Sequence, residues 1–94
     1  MLKRCEICHS LNEGGPNRVG PNLHGIFGRK AGTAPGFSFS TAMKDSGIVW
    51  DDETLATFLH DPQHSLPGNR MSFPGITDET TLSDLLAALK QATQ

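Results

Sequence analysis

Two cysteines three positions apart, with a histidine directly after the second, constrain this chain more than any other feature. They are Cys5, Cys8 and His9, in a chain of 94 residues. This is the spacing at which a c-type haem is attached, because each thiol can form a thioether with one vinyl group of the porphyrin. On one helical turn the two cysteines share a face, and a neutral imidazole beside them can bind iron. The motif therefore predicts one covalently bound haem.

Two closely spaced thiols are also compatible with other chemistry. A thioredoxin-like redox pair is expected within a βαβ unit, and the sequence has no sign of one. Zinc is the stronger alternative, because the chain also contains an H-x3-H pair at His60 and His64. However, the gap between the cysteines and this pair is far longer than in a zinc finger, and Pro62 interrupts the segment between the histidines. We therefore favour haem over zinc.

The composition suits a single small domain built around a large apolar group. A chain of this length has one core and buries only about 60–65% of the surface that its unfolded form exposes. Ten glycines, six prolines and a hydrophobic content of 36% predict long ordered loops around a cofactor. We expect one domain over residues 1–94. No apolar run has the length of a membrane span, and no export signal is recognised in the chain.

The hydrophobic pattern predicts an all-α fold. Three helices are expected from their local signals, namely one around Ser40–Asp45, one from Asp51 or Asp52 to a stop before Pro62, and one after Thr77, its expected N-cap. The last of them has leucines at helical spacing, which would form a buried stripe of Leu82, Leu85, Leu86 and Leu89. Between the helices, glycine and proline mark turns, and no alternating apolar strands occur.

An iron bound by His9 has a sixth coordination position, for which the chain offers several ligands. The candidates are the thioethers of Met1, Met43 and Met71 and the imidazoles of His24, His60 and His64. Most methionines only fill gaps in a core. Met71 differs because it follows the loop Pro67–Arg70, in which a long side chain can be aimed inward at a planar cofactor.

Five further motifs follow Cys5–His9 along the chain. They are the segments Gly20–Gly25, Gly28–Lys30, Ala34–Ser38, Gly47–Trp50 and Pro67–Ile76. In content and order these motifs resemble the class I cytochromes c, in particular the group of mitochondrial cytochrome c and bacterial cytochrome c2. The resemblance extends from Cys5 to the C-terminus almost without a gap. It implies an all-α fold of short helices and Gly/Pro-rich loops around a covalently bound haem, and it disfavours the zinc interpretation.

The resemblance also implies how the haem iron is held. Cys5 and Cys8 would carry the haem, His9 would be the proximal ligand and Met71 the distal one. A soft, neutral thioether favours the ferrous state. The carbonyl oxygen of Pro21 would accept the remaining ring N–H of His9 and fix its tautomer.

Further residues would surround the porphyrin. Arg29 and the indole N–H of Trp50 would pair with a haem propionate, whose burial is otherwise costly. The pocket would be lined by Leu23, Leu59 and Phe73.

Some positions depart from the mitochondrial proteins. Hydroxyl or amide groups near the haem are replaced here by Phe39, Met43 and Phe58. The polar network around the distal ligand should therefore be reduced. Gln63 and His64 stand where two lysines are usual, so the basic ring around the haem edge is thinner.

The implied function is one-electron transfer between larger respiratory or photosynthetic redox proteins, without enzymatic activity. The alternative is a haem-based peroxidase or gas sensor with a labile sixth ligand.

Arg4, Arg18 and Arg70 remain at positions that match the basic ring. Residues 1–44 carry six basic and two acidic side chains and residues 45–94 two basic and eight acidic ones, so the molecule could be steered toward a charged partner. No basic cluster indicates nucleic acid.

The start of the chain is the largest departure from the family. Only four residues precede Cys5, where family members have a longer helix that crosses the C-terminal one. We therefore expect a truncated N-terminal helix, with a natively short one as the alternative, and incomplete cover of the leucine stripe. A monomer is expected, or a dimer if that helix is missing. The expected location is the bacterial periplasm, with the mitochondrial intermembrane space as the alternative.

Overall fold

Five helices make up the regular structure of the computed structural model, which describes residues 2–94. They are α1 (Lys3–Glu6), α2 (Thr41–Lys44), α3 (Asp52–His60), α4 (Pro62–Ser65) and α5 (Glu79–Ala92). Among these residues, strand pairing is limited to one antiparallel bridge between Lys30 and Val49. The predicted all-α fold class is confirmed.

Side-chain caps fix where the helices begin. Ser40 accepts a hydrogen bond from the Met43 N–H at the start of α2. Asp51 and Thr54 form a reciprocal capping box at the start of α3, with both N–H···O distances at 2.8 Å. The α5 prediction was wrong by one residue, because the N-cap is Asp78 and not Thr77. The Asp78 carboxylate reaches the backbone N–H of residue 81, which is the N3 position of the helix.

The end of α3 follows from Pro62, as predicted. Asp61 leaves the helical conformation with φ of −156°, and Pro62 then occupies the first position of the short helix α4. The Asp61 carboxylate caps α4 by accepting from the His64 N–H. Consequently His60 and His64 belong to two different helices.

The main core lies where α3 packs against α5. One apolar cluster, called the main cluster below, comprises Ala31, Trp50, Leu55, Phe58, Leu59, Ile76, Leu82 and Leu85. Its helical members recur at three- and four-residue spacings, which places them on one face of each helix. Each large side chain buried there contributes about 1.5–3 kcal/mol. Leu82 and Leu85 are buried as the leucine stripe predicts, whereas Leu86 is only partly buried.

A second, smaller cluster consists of Leu11, Leu23 and Leu89. It extends the buried stripe of α5 toward the first loop, so three of the four predicted leucines are buried. Leu2 packs against both clusters. Met1, the other apolar residue before Cys5, lies outside the described residues.

The segment between α4 and α5 is fastened to the end of α3. The Ile76 N–H donates to the Leu59 carbonyl over 2.9 Å. Gly75 has a positive φ of 104°, and a Cβ there would lie 3.0 Å from the carbonyl carbon of His60. Only glycine allows this approach, so the loop that carries Met71 returns to α3 at a fixed point.

The described residues include no helix with the length and apolar character needed to cross a bilayer.

Candidate haem-binding site

One turn of backbone carries the two cysteines and the histidine. The N–H groups of Cys8 and His9 both donate to the Cys5 carbonyl, over 3.1 and 2.8 Å, so the turn of α1 continues past its last residue. Both cysteines are free thiols and partly exposed. Burial raises the pKa of the Cys5 thiol, which therefore stays protonated at neutral pH. Two free thiols on one turn are what two thioether bonds require.

The imidazole of His9 is held in one orientation. Its Nδ1 lies 2.7 Å from the Pro21 carbonyl oxygen, an acceptor only, so Nδ1 carries the proton and Nε2 the lone pair. Burial lowers the pKa of His9, and the hydrogen bond to Pro21 opposes this in part. The ring is thus neutral at pH 7, which is the form that binds iron. The structure contains the hydrogen bond that the resemblance implied.

Gly20 is a site residue that sequence reasoning missed. A Cβ at this position would lie 2.6 Å from Nδ1 and 2.8 Å from Nε2 of His9. The Gly20 N–H also donates to the Cys8 carbonyl over 2.7 Å, which prevents the backbone from moving away. Sequence reasoning took this glycine for a turn residue. The contact joins segments 11 positions apart, so no local signal indicates it.

Met71 lies in the extended segment between α4 and α5. It is partly buried and packs against the main cluster, as do Cys5 and Phe73. Trp50 and Leu59 belong to that same cluster. The structure therefore brings five of the predicted site residues to one apolar region, with a thiol and a thioether at its border.

Within this region Trp50 is bonded through its backbone to Arg29, whereas Leu23 lies outside it. Trp50 stacks at a tilt on Phe58, with ring centroids 5.2 Å apart, and its backbone N–H donates to the Arg29 carbonyl over 2.9 Å. Within residues 2–94 the Trp50 indole N–H makes no hydrogen bond, whereas the Arg29 guanidinium donates to the His24 carbonyl over 2.9 Å. The indole is thus free to donate to a ligand. Leu23 belongs to the second cluster and not to the main one.

Arg4 links the two sides of the site. Its guanidinium carbon lies 4.8 Å from the ring centroid of Phe73, within the range of a cation–π contact. The contact joins α1, which carries Cys5, to the segment that carries Met71. Arg18 and Arg70 are exposed as well, and each donates to a backbone carbonyl, of Glu6 and Ser38 respectively.

A zinc site is not formed. His64 pairs with Asp61, and His60 is exposed at the end of α3. In the part of the chain that the structure describes, no three His, Cys, Asp or Glu side chains lie close enough to hold a metal ion. The zinc alternative is therefore wrong, because within residues 2–94 the two cysteines and the two histidines do not come together at one site.

The groups present fit a covalently bound haem. Cys5 and Cys8 provide the two thiols, and His9 provides a neutral imidazole whose Nε2 is uncommitted. Met71 adds a soft thioether on another segment of the same apolar region. The Trp50 indole N–H, which makes no hydrogen bond within residues 2–94, could donate to a bound group. This donor set matches the demands of the cofactor without any change of residue.

Comparison with known proteins shows similarity to cytochromes c over nearly the whole chain. No family model matches the chain. Cytochrome c2 of Blastochloris viridis is 46% identical over 91 residues, covering 97% of this chain and 72% of that protein. Cytochrome c-550 of Bradyrhizobium diazoefficiens is 46% identical over 96% of this chain, which spans 66% of that relative. Cytochrome c of Nigella damascena is 41% identical over 96% of this chain and 81% of that protein.

Proposed function

This chain belongs to the class I cytochromes c and is an electron carrier with a covalently attached haem c, and we propose that His9 and Met71 are the axial ligands of its iron. The single observation that carries the assignment of His9 is its hydrogen bond to Pro21, which leaves Nε2 as a lone-pair donor, whereas Met71 is assigned because it offers a thioether beside the same apolar cluster as Cys5. When bound, the haem provides an iron that gains or loses one electron. The chain's own residues set how that iron is held.

The proximal residues attach and orient the cofactor. Cys5 and Cys8 would each add an S–H across one vinyl group of the haem and so hold the porphyrin beside His9. The Pro21 carbonyl keeps the ring in the tautomer that offers Nε2. Gly20 leaves room for that ring at a distance that no other residue type allows. Together these groups would hold the His9 ring in one orientation on the proximal side of the haem.

The distal residue sets which oxidation state is favoured. Met71 offers an uncharged, polarisable sulfur, which stabilises the ferrous state more than a charged or hard ligand does. A raised reduction potential is a general property of haem with Met/His ligation. The aromatic residues Phe39 and Phe58 and the thioether of Met43 add no hydroxyl or amide near this side, which supports a drier pocket.

We further propose that the protein has no catalytic activity of its own. With His9 and Met71 both bound, the iron has no open position for peroxide or a diatomic gas. The peroxidase or gas-sensor alternative needs a labile Met71, and the anchoring of its loop at Ile76 argues against that. Electrons would instead pass through the porphyrin edge to another protein.

The partners are proposed to be larger redox proteins with an acidic docking surface. Arg4, Arg18 and Arg70 are exposed basic side chains on segments next to the site. Such charges raise association rates at low ionic strength.

The similarity to two bacterial cytochromes at 46% identity supports the periplasm as the location, with the mitochondrial intermembrane space as the alternative.

Rapid mixing of the matured ferrous protein with ferricyanide, and separately with hydrogen peroxide, tests this proposal. We expect oxidation by ferricyanide in one kinetic phase with low-spin spectra before and after, and no catalytic turnover of peroxide. A high-spin ferric spectrum together with sustained peroxide turnover would instead establish the haem-catalyst alternative.

A further inference from the structure

Asn69 is a buried amide that ties the Met71 segment to α4. The residue is 8% exposed. The side-chain Nδ2 donates to the carbonyl oxygens of Pro62 and Leu66, over 2.9 and 2.7 Å, and Oδ1 accepts from the backbone N–H of Met71 over 2.8 Å. Its side-chain hydrogen bonds are therefore directed at α4, at the C-cap residue Leu66 and at Met71.

Gln63 binds the other backbone group of Met71. From its exposed position on α4, its Nε2 donates to the Met71 carbonyl oxygen over 3.1 Å and lies 3.3 Å from Oδ1 of Asn69. The N–H and the C=O of Met71 are thus both engaged by side chains of residues 63 and 69. Fixing both backbone groups restricts the peptide units before and after Met71 and leaves mainly its side chain free to rotate.

The base of this arrangement is itself anchored. The carboxylate of Asp61 caps α4, and the Ser65 N–H donates to the Asp61 carbonyl over 2.9 Å. The Met71 segment also returns to α3 at Ile76. The segment is therefore fixed at both ends, and Asn69 and Gln63 act at the residue that carries the thioether.

We propose that Asn69 and Gln63 are positioning residues that clamp the Met71 backbone and thereby set how firmly the thioether stays on the iron. This inference rests on the proposed role of Met71 as distal ligand and assigns a source for its retention. A loose segment would populate an open state in which an external ligand can bind in place of the sulfur. The apparent affinity of that ligand scales with the population of the open state.

Binding of imidazole to the ferric holoprotein measures that open population. Asn69→Ala removes the bond to the Met71 N–H and the two bonds to α4, and Gln63→Glu keeps the shape of the side chain but loses its donor. Each lost hydrogen bond should raise the open population about fivefold. We therefore expect at least about fivefold tighter apparent imidazole binding for each variant, and faster hydrogen exchange of the Met71 amide.

Matched controls separate clamping from a general loss of stability. Asn17 makes a similar pair of bonds elsewhere, donating to the Pro35 carbonyl and accepting from the Asn22 N–H. Gln91 is an exposed glutamine on α5. Asn17→Ala and Gln91→Glu should leave the apparent imidazole affinity and Met71 amide exchange at the parent values, even if Asn17→Ala lowers the unfolding midpoint.

The outcomes are distinct. If the ferric parent shows the sulfur-to-iron charge-transfer band and Gln63→Glu and Asn69→Ala bind imidazole no more tightly than the controls, the clamp is refuted while the ligand assignment stands. If the parent lacks that band, Met71 is not the ligand, and the proposed clamp is refuted together with the ligand assignment. Because Gln63 is exposed, Gln63→Glu keeps the test decisive even if Asn69→Ala does not fold.

Discussion

The imidazole of His9 is held by the backbone carbonyl of Pro21, which accepts a hydrogen bond from Nδ1 over 2.7 Å. A side-chain substitution at residue 21 does not delete this acceptor, because it is a main-chain oxygen. The ring orientation depends instead on the backbone path between residues 20 and 23. That path is fixed by two further bonds, from Gly20 N–H to the Cys8 carbonyl and from Leu23 N–H to the Ser10 carbonyl.

The close approach of Gly20 to His9 leads to the first prediction. Gly20→Ala should displace the imidazole, because the added methyl would lie 2.6 Å from Nδ1. Overpacking of this kind costs about 1–3 kcal/mol. We expect a lower unfolding midpoint in guanidinium and a shifted reduction potential in the holoprotein.

Gly14→Ala is the matched control. Gly14 has a positive φ of 75°, but a Cβ there meets no atom within 4 Å. Its alanine variant should therefore lose stability through backbone strain, by about 1–2 kcal/mol, and keep the parent potential. Equal potentials in the parent and Gly20→Ala would show that the His9 ring tolerates the methyl group.

The second prediction concerns covalent attachment. Cys5→Ala should leave one thioether through Cys8, and Cys5→Ala combined with Cys8→Ala should leave none. Acidified organic solvent should therefore extract haem from the double variant only. Extraction of haem from the matured parent would mean that the two thiols do not form thioethers.

The third prediction concerns the pair formed by Asp61 and His64. The hydrogen bond from His64 holds the pKa of Asp61 below its ordinary value, and the same bond raises the pKa of His64 above about 6.5. The His64 contribution to stability is present below its unfolded pKa and is lost as the pH rises through the folded pKa. The Asp61 contribution is present above about pH 3.9 and is lost as the pH falls through its folded pKa. The pair is thus complete between about pH 4 and 6.5.

An NMR titration of the His64 ring measures this directly. Asp61→Asn should return the His64 pKa to its ordinary value, whereas Asp84→Asn, a change on the exposed face of α5, should leave it raised. An unchanged His64 pKa in Asp61→Asn would show that the pair is not formed in solution.

Local signals in the sequence were sufficient for the longer helices. Leucine spacing and Pro62 placed α3 and α5, since both features act over a few residues. The start of α5 was missed by one residue because Thr77 and Asp78 are both good N-caps, and only the reach of the Asp78 carboxylate to residue 81 decides between them. The short helix α4 was not predicted, because four residues show no hydrophobic period and their order depends on the Asp61 cap.

Only part of the candidate site could be predicted from local signals in the sequence. Cys5, Cys8 and His9 form a local motif whose spacing is tied to its chemistry. The contacts of Gly20 with His9 and of Gln63 with Met71 join residues that are distant in the sequence, and they depend on where the loops run. Glycine and glutamine have no periodic pattern that would indicate such contacts. These contacts can be identified only when the backbone path is known.

The reduction potential of Met71→Ala, measured beside that of the parent, decides whether Met71 is the distal ligand of the iron. Removal of the thioether should open the sixth position while the haem stays attached through Cys5 and Cys8. We expect a lower potential, a high-spin ferric spectrum without the sulfur-to-iron band, and weak peroxidase activity. A variant whose potential and spectrum equal those of the parent would show that Met71 is not the ligand, and would contradict the account.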